Sequence, residues 1–289
     1  MSAAAPAVPV NTGWPFWRSQ TLAIVRMELR KNFITKRGFW IYLLAAAPAV
    51  IVTLHSIVTM QRPVRSNHDI AMDTKMMAIL FQFFFLRPAL FFGCVGIFTY
   101  LFRGEVVERS LHYYFLAPVR REVLAAAKFI AGAVTAICFF GASILLTFVG
   151  MYLHFSNFQI REFLLNGPGL GQLGAYAGIT VLACLGWGSV FLWMGIRFRN
   201  PVVPAVVFFA WETINVFLPS WLRRLSVLHY LQSLTPVQTE ARGPGVLFGS
   251  TAAPENAVVA ALAVLGITVV MLLVSVRQLK RSEISYSTD

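Results

Sequence analysis

The chain has 289 residues, 57% of them hydrophobic and 12% charged, with a formal net charge of +12. A soluble domain carries about 25% charged residues, so half that share excludes an ordinary water-solvated globule and points to a chain solvated largely by lipid. The basic residues lie beside long apolar runs, so the positive charge reads as membrane orientation and attraction to anionic lipid head groups rather than as a nucleic-acid surface.

In chain order, residues 1–13 are rich in Ala and Pro and read as a disordered tail with no signal-peptide pattern. Residues 14–37 follow a helical pattern. Trp14, Trp17, Leu22, Val25, Leu29 and Phe33 fall near one face, and Arg18, Arg26 and Arg30 lie around the rest. An apolar stripe with Trp and flanking Arg suits a helix lying in the membrane interface; a helix packed on protein is the alternative.

A bilayer core of about 30 Å needs about 20 apolar residues in a helix. Six stretches qualify: 39–60, 83–102, 124–153, 173–196, 202–218 and 257–276, followed by a tail at 277–289. The expected fold is therefore all-α and polytopic, a single transmembrane domain over 14–276 with six spans. With the N-terminus inside, sixteen Lys and Arg fall on inner segments and seven on outer ones. That bias places both termini in the cytoplasm.

Between spans two and three, residues 103–123 form the longest inner connection. Val107, Leu111 and Tyr114 align on one helical face, and Glu105, Glu108 and Arg109 alternate in charge. Pro118 ends that helix, because the residue before a proline resists the helical region. Between spans five and six, Trp221, Leu222, Leu225, Leu228, Leu231 and Leu234 recur at helical spacing, with Arg223, Ser226, His229 and Gln232 pointing elsewhere. This stretch is too short to span and reads as short helices at the outer leaflet.

Chemistry is sparse. The P-loop pattern is absent, so ATP use would need another chain. Gly186-Trp187-Gly188-Ser189 has the outline of an intramembrane protease serine motif. Val190 replaces the glycine expected after the serine, and helix packing by small residues is the better reading. Cys94, Cys138 and Cys184 sit in apolar runs without metal-ligand spacing. Two intramembrane charges stand out. Glu212 lies near the middle of span five. Arg87 lies about one turn inside the outer end of span two, where it could snorkel to the interface. Phe84 belongs to an aromatic cluster, Phe81–Phe85, that could line an apolar path or face lipid.

The stretch from Gly104 to Gly132 carries a resemblance. Glu108, Ser110, Leu111, Phe115-Leu116, Pro118-Val119, Arg120 and Lys128 fall as they do in the permease subunits of ABC transporters of the ABC-2 type, with Arg109-Ser110 in place of a Gly-Thr pair. The rest of the chain resembles that family in layout. The resemblance implies a permease working as two membrane subunits, a second copy or a similar permease, with two cytoplasmic ATP-binding subunits. ATP and Mg would be held there and no cofactor on this chain. It further implies that residues 103–119 form a coupling helix presenting Glu105, Glu108, Ser110, Leu111, Leu116, Pro118, Arg120 and Arg121 to the ATPase. Spans two and five would border a path that Phe84, Arg87 and Glu212 could line. The expected function is an ATP-driven exporter of a hydrophobic or amphipathic substrate in a bacterial inner membrane. A proton-coupled transporter using Glu212 and a non-transport membrane anchor are the alternatives.

Overall fold

The computed structural model describes residues 14–34, 38–61, 69–108, 119–214, 219–237 and 255–281, and among these there is no strand. The elements are α1 (Trp14–Ile34), α2 (Gly38–Gln61), α3 (Ile70–Leu80), a π-helical stretch (Phe81–Leu90), α4 (Phe91–Val107), α5 (Arg121–Tyr152), α6 (Asn157–Arg161) with a π-helical turn (Glu162–Asn166), α7 (Gly169–Arg197), α8 (Val202–Ile214), α9 (Ser220–Arg223), α10 (Val227–Ser233) and α11 (Ala257–Arg281). Five helical stretches are long and apolar enough to cross a membrane: Phe39–Gln61, Ile70–Val107, Arg121–Tyr152, Gly169–Arg197 and Ala257–Arg281. The expected fifth span, 202–218, corresponds to α8, whose 13 residues are shorter than a crossing needs; residues 215–218 lie outside the described residues.

Span two departs from its expected bounds of 83–102. α3, the π-helical stretch and α4 run without a break over 38 residues, from Ile70 to Val107. Asp69 starts this run, its side chain accepting from the amide of Ala71 at 3.1 Å, a common way to satisfy an orphan helix donor. Hydropathy missed the first turns because Asp73 and Lys75 interrupt the apolar run, although Asp73 is buried.

The core forms where α7 packs against α4, α5 and α11, with α2 and α1 laid along α5. Close approach of α4 and α7 rests on glycines. The Phe98 ring occupies the place where a Cβ on Gly188 would stand, and the backbone of Thr99 lies against Gly195. Phe91 then meets Trp187, Phe191 and Phe209 with ring centroids 4.9–5.4 Å apart, distances at which edge-to-face and tilted rings attract.

α1 buries a different face from the expected stripe. Ile24 and Glu28 are buried, whereas Leu22 is 64% exposed. The helix lies on α5, with the Phe33 and Phe139 rings 4.8 Å apart and Asn32 donating to Thr135 Oγ1 at 3.2 Å. An acid at the centre of a packed face is unfavourable unless it is paired, and Glu28 has its partner on α5.

Candidate functional site

α4, α7 and α11 end at Val107, Arg197 and Arg281, and α5 begins at Arg121, at one end of the bundle, which is rich in Lys and Arg. At this basic end, three elements meet on one buried cation. Lys128, fully buried on α5, lies 2.6 Å from Glu28 of α1 and 2.8 Å from Glu105 of α4, and donates to the carbonyl of Leu101 at 2.8 Å. Lys31, half exposed, approaches Glu105 at 3.8 Å. Three donor hydrogens on the ammonium match these three acceptors. The cluster ties α1, α4 and α5 together near the last turn of α4.

Of the residues expected on the coupling helix, Ser110, Leu111, Leu116 and Pro118 lie outside the described residues. Glu105 is inside the bundle rather than on a docking surface. Glu108 is exposed and accepts from the Tyr100 hydroxyl at 2.7 Å. The Arg120 guanidinium stands over the Trp17 ring at 4.4 Å. Arg121 donates to the carbonyls of Leu279 at 2.9 Å and Lys280 at 2.8 Å, capping the last helix, and Lys280 pairs in turn with Glu122. Both ends of the connection are thus anchored to the bundle by side chains far away in sequence.

Within the bundle, Glu212 is buried on α8. It does not pair with Arg87 among the described ion pairs. Instead it accepts from the Ser226 hydroxyl and from the amides of Val227 and Leu228, both at 3.2 Å. These groups open α10, so Glu212 locks the hairpin of α9 and α10 onto α8. Gln82 of the π-helical stretch holds the hairpin's other end, donating to Thr235 Oγ1 at 3.1 Å and to the carbonyl of Val237 at 3.3 Å. Ser226, expected to point away from the apolar face, is fully buried because the carboxylate draws it in, while Trp221 and Leu225 remain exposed. Burial holds the His229 imidazole of α10 below its ordinary range.

Arg87 is not near a helix end. Because the helix begins at Ile70, this residue sits near the middle of a stretch roughly 55 Å long, and the expectation of snorkelling at an outer end gives way. It lies in the π-helical stretch with Pro88, half-buried, as is Phe84. Phe81, by contrast, is fully buried against Phe85 and Tyr176.

At the opposite end, Asp73 of α3 lies 3.0 Å from His154 Nε2, and His154 Nδ1 is 3.3 Å from Ser56 Oγ on α2. This order of groups resembles a nucleophilic relay, but the Ser56 hydroxyl is buried and donates to the Gly150 carbonyl at 2.6 Å. The arrangement joins α2, α3 and α5 and offers no exposed nucleophile. Ser189, in the glycine-rich motif, likewise donates to its own helix at Gly186, 2.8 Å away.

Sequence reasoning missed the Glu28–Lys128–Glu105 cluster and the Asp73–His154–Ser56 cluster. The available signal was an acid on the apolar side of α1 and a lysine inside an apolar run, neither with a visible partner nearby in sequence. A family model described as ABC-2 family transporter protein matches residues 24–215 of the chain. No curated protein matches it significantly.

Proposed function

Because the chain belongs to the ABC-2 family of transporter proteins, we propose that it is the membrane subunit of an ATP-driven exporter. It takes its energy from a separate ATP-binding subunit and pairs with a second copy of itself. In this reading residues 202–218 are the fifth of six spans, both termini are cytoplasmic, and the membrane is a bacterial inner membrane. The substrate is hydrophobic or amphipathic and passes Phe84, Arg87 and Glu212.

One observation carries the coupling argument. Lys128 joins Glu28, Glu105 and the Leu101 carbonyl at the root of the 103–119 connection. A docking segment transmits force only if its ends are fixed to the elements it must move. Here one end is fixed through this cluster and the other through Arg121 of α5, which donates to the Leu279 and Lys280 carbonyls of α11. Closure of an ATPase pair beneath would then shift α1, α4 and α5 as one body, as in hinge and shear transitions.

The test is a pull-down of the tagged full-length chain expressed with its genomic neighbours, followed by an ATPase assay. Co-purification of a P-loop subunit, lost when residues 103–119 are scrambled, is expected. A chain that purifies alone and moves substrate without nucleotide overturns the reading and favours a proton-coupled carrier.

A further inference from the structure

The charge at Arg87 is unbalanced at short range. Its Nε is buried without an acceptor, and among the described residues its guanidinium makes no hydrogen bond and no ion pair. Its guanidinium stands over the Phe83 ring, 4.9 Å from the centroid. Glu212 is near enough to act on it through space, but the lone pairs of that carboxylate are engaged by Ser226, Val227 and Leu228. The buried ammonium of Lys128, by contrast, has its three acceptors supplied by the chain.

A guanidinium at membrane depth whose buried Nε lacks an acceptor is costly unless the rest of the group faces water or meets one. Its planar fork fits the paired oxygens of a carboxylate or phosphate. Phe83 is 52% exposed beside it, and half-buried Phe84 follows in sequence. Both lie in the π-helical stretch, a distortion often found at functional positions. A cation flanked by accessible rings presents two chemistries at once, one for an anionic head and one for an apolar chain.

We propose that Arg87 binds the anionic head group, phosphate or carboxylate, of an amphipathic substrate, with Phe83 and Phe84 against its apolar chain. This rests on the transport reading above and adds to it the sign of the substrate's charge. Glu212, in this arrangement, is a positioning residue that holds the hairpin beside the path and does not ligate the head group.

The experiment is equilibrium binding of radiolabelled dodecyl phosphate to the purified full-length chain in phosphatidylcholine nanodiscs, which needs no ATPase. Dodecyltrimethylammonium serves as the cationic counterpart. The parent should bind the anion at least tenfold more tightly than the cation. Arg87→Gln should abolish that preference, and Arg87→Lys should retain part of it, since a charge-assisted hydrogen bond carries a factor of about ten or more. Equal binding of the two amphiphiles by the parent, or an unchanged preference in Arg87→Gln, overturns the proposal. Equal displacement by inorganic phosphate overturns the requirement for an apolar chain. Loss of dodecyl phosphate binding when phosphatidylglycerol replaces phosphatidylcholine assigns the site to a resident lipid and overturns a substrate role. Selective binding by a chain that recruits no ATPase keeps this site and sinks the exporter, whereas recruitment without selectivity does the reverse.

Discussion

Replacing Lys128 with Met removes a fully buried ammonium from a site that holds two carboxylates. Glu28 and Glu105 are both buried, and among the described residues the half-exposed Lys31 approaches only Glu105, at 3.8 Å. Breaking a buried ion pair by deleting one partner costs about 3–5 kcal/mol, because a charge is left without compensation. At about 2–4 °C per kcal/mol for a chain of 150–250 residues, the apparent Tm in nanodiscs should fall by on the order of 10 °C. The loss belongs to the stranded carboxylates more than to the missing attraction. The triple variant Glu28→Gln, Glu105→Gln, Lys128→Met should therefore recover more than half of it. Thermal unfolding followed by tryptophan fluorescence measures both. A Lys128→Met Tm within about 2 °C of the parent, or a triple variant no better than the single one, would refute the burial argument.

Glu212→Ala strips acceptors from two buried amides, at about 1–3 kcal/mol for each unsatisfied donor. Faster hydrogen exchange at Val227 and Leu228 is expected, with a smaller effect for Glu212→Gln, which keeps one acceptor oxygen. Gly188→Val forces the Phe98 ring away and should destabilise by about 1–3 kcal/mol, whereas Gly171→Val, with open space around it, should leave the Tm unchanged. The lowered His229 pKa means the unfolded chain takes up a proton first as pH falls. His229 therefore adds no penalty above about pH 6.5, and stability should decline below it, less so in His229→Gln; thermal scans from pH 7.5 to 5 compare the two. Glu108→Ala and Pro118→Gly should each uncouple ATP turnover from transport in proteoliposomes while leaving membrane insertion intact, and normal transport by both would remove the coupling role from residues 103–119.

Much of the fold was legible in the primary sequence. Five of the six expected spans coincide with helices long and apolar enough to cross a membrane, because hydropathy summed over about 20 residues is a local quantity that lipid enforces directly. The short helices after residue 219 were legible from their own local spacing, whereas α1 buries Ile24 and Glu28 rather than the whole expected stripe, and residues 109–118 of the family loop lie outside the described residues. Helix boundaries set by polar residues were not. Asp73 and Lys75 masked the first turns of the longest stretch, and that error misplaced Arg87.

What the linear order could not show is which charges meet. Lys128 and Glu28 are 100 residues apart, and Gln82 and Thr235 are 153 apart. Whether a charge inside an apolar run is paired, locked or open depends on partners brought in by packing. An identical local pattern, a lone ionisable group among hydrophobic residues, becomes a clamp at Lys128, a hairpin anchor at Glu212 and, at Arg87, a cation without an acceptor among the described residues. The chain alone determined the helices and the membrane, since each segment's solvation is decided within that segment. Only the tertiary structure decided the polar contacts, since the free energy of a buried charge is set by its neighbours in space.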